Sequence, residues 1–278
     1  MHVLVLGCGE LGVRVAATLA STPGVERVSL VTAPYRAGKP PRTLKQKLRH
    51  VWRTQGPAGL LRVLAGKLWG ATPTGSPPTP VVSLPDGVER IRVSDFHAAE
   101  ALDAMRALAP DLGVVAGTYI LKEPVFTLPR LGCINLHSGK VPEYRGAAPA
   151  FWELYNGESE VGVTIHRVVA ALDAGHILAQ ETFPLDPAPA GDPLAYVERF
   201  RREVLVPNGI RMLSDVVARL AAGTAEERPQ PTAGARTYRS PDFRAIRELR
   251  RRVAVRRRER EGREAGRTAS IGKPSHAA

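Results

Sequence analysis

Cysteine and aromatic residues are scarce in this chain: two Cys and 5% Phe, Trp and Tyr in 278 residues. Cys8 and Cys133 lie far apart, and neither stands in a CxxC pattern or a Cys/His cluster. No disulfide framework or zinc module is spelled out, no metal is expected, and both thiols read as small reduced core residues. Long hydrophobic runs are missing as well. None approaches the ~18 residues needed to cross a bilayer, and MHVLVLGCGELG opens without the basic segment of an export signal. A cytoplasmic chain with no membrane span is expected, with one large domain and appendages.

Acid is absent from one stretch, since nine Lys or Arg between Arg36 and Lys67 stand without a single Asp or Glu. From Arg236 to Lys273, fourteen bases face five acids. These two segments account for more than the whole net charge of +12, so the body between them is mildly acidic. The basicity belongs to attachments, which makes RNA a less favoured partner than the total charge suggests.

HVLVLG reads as a buried strand, VRVAATLA as a helix and ERVSLVT as a second strand, a βαβ opening. Residues 36–80 read as an insertion: a basic helical hairpin with Gly56 and Pro57 at its centre, then a Pro-rich link over 71–80. ERIRVSD, AAEALDAMRALAP, DLGVVAG and LGCINLH resume the alternation. The predicted fold is α/β, a Rossmann-like mostly parallel sheet with helices on both faces. PAFWELYNGE reads as a helix ending near Asn156 and Gly157. VGVTIHRVV and HILAQETFPL read as neighbouring strands, and 192–223 as a long helical stretch broken near Pro207. Residues 1–225 form the predicted catalytic domain. Residues 226–278 form a basic extension expected to be peripheral or disordered.

The chemistry concentrates in INLHSGKVPEYRG, residues 134–146. Asn135 and His137 are two apart on a strand and so face the same way, at an end of the sheet where open α/β folds bind ligands. An amide donor beside an imidazole suits acyl transfer, the Asn holding a carbonyl oxygen that gains charge and the His moving a proton. Asp173, in the turn LDAGH, is the carboxylate best able to return over the sheet and orient the ring. Tyr144 and Arg145 offer a ring and a guanidinium fork to an anionic or sugar-bearing substrate, or anchor their own loop.

Residues 114–178 carry VVAGTYIL, LPRLGCINLH, PEYRGAAPAFWELYNGE, VGVTIH and LDAGHIL in that order. This pattern resembles the catalytic core of the folate-dependent formyltransferases, the family of methionyl-tRNA, glycinamide ribonucleotide and sugar N-formyltransferases. The resemblance implies 10-formyltetrahydrofolate as donor and no metal. It implies that Asn135 binds the formyl oxygen, that His137 carries the proton, and that Asp173 orients His137 and favours its charged form. The donor would lie against Tyr119, Ile120, Leu121, Leu172 and Asp173.

The chain departs from methionyl-tRNA formyltransferase at SGKVP, where Lys140 replaces an apolar residue and is read as facing the acceptor or as a solvated loop lysine. It also departs in its arginine-rich end, which shows no alternating strands where a β-barrel would follow. The expected acceptor is therefore a small-molecule primary amine, a nucleotide-linked amino sugar first and methionyl-tRNA second. Three other readings compete. GCGELG, with Gly9 at its centre, could bind a dinucleotide in an NAD-dependent oxidoreductase or cradle an acceptor phosphate, although VSLVT ends without the acid that meets a ribose. The same catalytic set could hydrolyse the formyl donor. The basic attachments could belong to an RNA-binding module on an inactive fold.

Overall fold

The computed structural model describes residues 1–35, 43–69 and 83–271. The chain opens as its pattern predicts, with β1 (His2–Gly7), α1 (Glu10–Leu19) and β2 (Arg27–Thr32). Five consecutive buried residues in β1 match a strand covered on both faces. Helix α1 approaches β1 so closely that a Cβ on Gly7 would lie 2.7 Å from the Gly12 Cα, a contact that only glycine permits. The insertion contains α2 (Leu44–Trp69), two helical segments merged across Gly56, where φ is 67° and ψ −162°. The Pro-rich link expected over 71–80 lies outside the described residues.

Then follow β3 (Glu89–Arg92), α3 (Ala99–Ala107), β4 (Leu112–Ala116), α4 (Glu123–Phe126), β5 (Cys133–His137), β6 (Arg145–Gly146) and α5 (Phe151–Asn156). The chain continues through β7 (Glu160–Arg167), β8 (Ile177–Pro184), α6 (Pro193–Phe200), α7 (Val206–Ala221), β9 (Thr237–Tyr238) and α8 (Phe243–Ile271). The main sheet runs β3-β2-β1-β4-β5-β7-β8. Its first five strands are parallel, and β7 and β8 add an antiparallel edge. One core layer joins the sheet to α1, α5 and α7, and a second joins it to α3 and α4. Helix α5 stops at Gly157 in a left-handed C-cap, φ 83°, as its Asn-Gly pair predicts.

The break expected near Pro207 is a π turn over Arg201–Leu205 between α6 and α7, with Pro207 in the first turn of α7. Proline cannot donate to the carbonyl one turn back, and the wider turn absorbs that loss.

The far C-terminal segment differs from the extension expected to be peripheral or disordered. Leu249 and Val253 of α8 are fully buried, and Ile246 and Ala245 pack against the same core. The flanking arginines are tied to the body. Arg250 pairs with Asp192 and Arg260 with Asp186, Arg252 lies 4.1 Å over the Tyr155 ring, and Arg256 donates to the Leu154 carbonyl in the last turn of α5. A helix end offers unpaired carbonyls and negative potential, so a guanidinium fits there. Residues 226–238 also lie on the body, through an isolated bridge between Arg228 and Ile177 and the parallel pairing of β9 with β6. No described helix is long and apolar enough to cross a membrane.

Candidate active site

Strand β5 presents Asn135 and His137 on one face, opposite His166 and Thr164 of β7. The turn after β7 brings Asp173 back to them with a left-handed backbone, φ 48°. A non-glycine residue holds that conformation only where its surroundings over-determine it, and here they do. Gln230 donates to the carbonyls of Asp173 at 2.9 Å and Gly175 at 2.7 Å, while the Gly146 N–H donates to Asp173 Oδ2 at 2.8 Å. The carboxylate Oδ2 lies 3.6 Å from His137 Nδ1, the ring expected beside it, and Oδ1 also accepts from Asn135 Nδ2 at 3.5 Å.

A fourth member, His166, was not among the residues singled out in the sequence. It is 2% exposed, and its Nδ1 donates to the Arg167 carbonyl at 2.8 Å. That leaves Nε2 to accept one Asn135 Nδ2 hydrogen at 3.2 Å, with Asp173 Oδ1 3.5 Å away. The second Asn135 hydrogen has only the long contact to Asp173 and can turn to a substrate oxygen. The available signal was position: His166 is the next-to-last residue of β7, a strand buried along most of its length, and sits directly across from Asn135.

Charge states correct one expectation. Burial lowers the His137 pKa, and the opposing pull of the Asp173 carboxylate and the Tyr144 carbonyl does not overcome it. Resting His137 is therefore neutral rather than held charged by Asp173. Burial alone would raise the Asp173 carboxyl, but the neighbouring His166 and His137 rings and the Gly146 N–H oppose it and hold it below the usual range, so it is ionised. His137 Nε2 donates to the Tyr144 carbonyl at 2.7 Å. In the neutral ring Nδ1 then faces the carboxylate as a lone pair, and a proton gained there turns that contact into a charge-assisted hydrogen bond.

Beside His137 lies a small cavity lined by Ser138, Gly146, Trp152, Glu153 and Tyr238. Glu153 is 2% exposed, and its Oε1 has no hydrogen-bond partner among the described residues. Burial raises its carboxyl from 4.5 to about 8, against the backbone N–H groups of Glu153 and Ala150. A protonated acid thus stands at the third position of α5, close to the first backbone N–H groups of a helix whose N-cap, Ala150, has a left-handed backbone at φ 64°.

Lys140, Tyr144 and Arg145, read as facing an acceptor or as loop residues held by the protein or solvent, each have a partner within the protein. Lys140 pairs with Glu160 at 2.9 Å. Arg145 donates twice to Gln230 Oε1, at 2.7 and 3.2 Å, and so supports the Asp173 turn from behind. The Tyr144 ring stacks on Tyr238 at 5.3 Å and its hydroxyl donates to Glu158. These contacts tie the loop to β7, to the 226–238 segment and, through Asn156, to α5, while Tyr144 and Arg145 also line the cavity beside His137. Gly9 caps α1 and lines a separate cavity of about 470 Å³ with Cys8, Thr32, Arg90 and Arg92. Cys8, expected to be buried, is half-buried there.

On the predicted donor side, the Tyr119 side chain turns inward and its hydroxyl donates to Asp95. Leu121 is buried, but Ile120 is 71% exposed and Leu172 and Val169 are each 42% exposed. Exposed aliphatic side chains on the loop after β4 and the turn holding Asp173 fit the flat apolar face of a bound ring.

Residues 69–203 match the family model described as formyl transferase. Methionyl-tRNA formyltransferase of Thermotoga maritima is 37% identical over 156 residues, 55% of this chain and 48% of that protein. The chain spans about half the length of the curated relatives it matches. A sugar N-formyltransferase of a Shewanella species is similar at 15% identity, with a TM-score of 0.54 over 91% of this chain and 87% of that one. WlaRD, a sugar 3N-formyl transferase solved in the presence of dTDP and 5-N-formyl-THF, is similar at 12% identity, with a TM-score of 0.51 over 86% of this chain and 69% of that one.

Proposed function

We propose that the chain is a formyltransferase, the reading its family-model match and its curated relatives support, and that it moves a formyl group from 10-formyltetrahydrofolate to a primary amine. The observation that carries this reading is the meeting of Asn135, His137 and Asp173, with the carboxylate 3.5 Å from the amide and 3.6 Å from the imidazole. Asn135 holds the formyl oxygen as it gains charge, and His166 fixes the amide that does so. The acceptor nitrogen forms a bond to the formyl carbon and gives a proton to His137; the imidazolium so formed is met by Asp173. The proton then passes to the donor nitrogen as its bond to that carbon breaks, leaving a formamide and tetrahydrofolate. Neutral resting His137 suits the first of these steps. The exposed Ile120 and Leu172 support the donor assignment.

For the acceptor, likeness in sequence reorders the expectation drawn from the sequence alone. The curated relatives matched at 35–42% identity are methionyl-tRNA formyltransferases, whereas the sugar N-formyltransferases are alike in fold. The amine of an aminoacyl-tRNA therefore ranks first. A nucleotide-linked amino sugar remains the second reading because the cavity at Gly9 combines a helix N-terminus with Arg90 and Arg92, a setting that suits a diphosphate.

The test is incubation of the protein with 10-formyltetrahydrofolate and, in separate arms, methionyl-tRNA and aminosugar nucleotides, followed by mass analysis for one added formyl group. Asn135→Ala is expected to lower turnover about 10²- to 10³-fold while donor binding persists. Formate release without an acceptor product identifies a hydrolase. Thermal stabilisation by NAD(H) and not by folates overturns the proposal.

A further inference from the structure

The loop from Gly117 to Lys122 joins β4 to α4 beside Asn135. The backbone N–H and C=O groups of Ile120 and Leu121 have no hydrogen-bond partner among the described residues. An open edge of this kind keeps a defined shape only if its flanks are fixed, and three pins fix them. The Cys8 N–H donates to the Gly117 carbonyl at 3.3 Å, the Tyr119 hydroxyl donates to Asp95 Oδ1 at 2.7 Å, and the Lys122 N–H donates to His97 Nε2 at 3.0 Å.

The last two pins share one hub. Asp95 Oδ1 also accepts from the His97 N–H and from His97 Nδ1, both at 3.0 Å, while the Phe96 N–H donates to the Tyr119 oxygen at 2.8 Å. The tautomer follows from the partners: because Nε2 accepts from a backbone N–H, the ring hydrogen is on Nδ1, where Asp95 holds it. The His97 N–H and the Tyr119 hydroxyl keep the Asp95 carboxyl below its usual range. Burial and the Asp95 hydrogen bond push the Tyr119 phenol up, so it stays a donor. The latch is built from the segment between β3 and α3, apart from the catalytic cluster.

We propose that Asp95 and His97 are positioning residues for the formyl donor, locking the 117–122 loop so that its open backbone edge receives the polar rim of a flat heterocycle. This rests on the donor reading above and extends it to residues outside the Asn135 centre. A tether serving stability alone lowers the folded fraction, whereas a preorganising latch changes donor affinity selectively.

The experiment titrates folinic acid into wild type, His97→Leu, His97→Gln and Asp95→Asn, measures kcat and both KM values, and follows hydrogen exchange at the Lys122 amide. His97→Leu is expected to expose the Lys122 amide. It should weaken folinic acid binding and raise the donor KM about tenfold, the scale of one preorganising hydrogen bond. The acceptor KM and kcat at saturating donor stay within about twofold in the same comparison. His97→Gln, which returns an acceptor near the ε position, recovers most of the affinity. If the leucine variant fails to fold, Asp95→Asn is read in the same way. Unchanged folinic acid affinity alongside rapid Lys122 exchange overturns the latch alone. A wild type that does not bind folinic acid overturns the donor reading and this inference with it.

Discussion

Asp173 does three things at once: it faces His137, touches Asn135, and closes the loop through the Gly146 N–H. Asp173→Asn separates charge from shape, because asparagine tolerates the left-handed backbone and can still accept from Gly146. Without the carboxylate, burial acts on His137 with less opposition, so its pKa falls further and the acidic limb of the kcat/KM profile moves to lower pH. Turnover is expected to fall at least about 10²-fold, since the imidazolium loses its partner. Glu153 gives a different pH signature. Its folded-state pKa, about 8 against 4.5 for an unperturbed Glu, means that the folded chain binds the extra proton between those values. The resulting stability is full below 4.5 and is lost as pH rises toward 8. Glu153→Gln cannot ionise there, so its denaturant midpoint should decline less steeply with pH. The stability difference from wild type changes by at most about 1.4 kcal/mol per pH unit.

The loop from Ser138 to Pro149 shows how a connecting segment can be as determined as a strand. A Cβ at Gly139 would collide with both His137 Nε2 and the Tyr144 carbonyl, the two groups that hydrogen-bond each other. Gly139→Ala is therefore expected to reduce kcat by more than tenfold, by the sensitivity of rate to small misplacements, while far-ultraviolet circular dichroism stays that of wild type. The same loop shows where sequence reading stops. Asn135 and His137 were legible because strand alternation is local, and Asp173 because its turn is. For Lys140, Tyr144 and Arg145 the sequence left a substrate-facing and an anchoring or solvated reading both open, because what they do depends on Glu160, Tyr238 and Gln230, brought beside them by tertiary packing. His166 escaped notice because a buried histidine on a strand reads as core until the register sets it across from Asn135.

Helix α8 changes what the net charge means for the molecule. A run of arginine reads as solvated because side chains cannot be matched by eye to carbonyls and carboxylates distant in the chain, yet Arg250, Arg252, Arg256 and Arg260 all find partners on the body. The legible signal was apolar: Phe243, Ile246, Leu249 and Val253 recur at three- and four-residue intervals, the stripe of a helix with one face packed. Two accounts of the segment then predict opposite results. A peripheral tail tolerates Leu249→Ala with no change in stability, whereas a docked helix loses buried area and gains a cavity beside a fully buried position. The docked helix predicts a loss of about 2–5 kcal/mol, read as a lower denaturant midpoint. Arg247→Ala, on the exposed side of α8, is the matched control and should leave the midpoint within about 0.5 kcal/mol. Because α8 packs against α5, whose first turn holds Glu153 beside His137, loosening α8 should also lower turnover before the sheet unfolds. Kinetics at denaturant concentrations below the unfolding transition would reveal that loss in Leu249→Ala and not in Arg247→Ala.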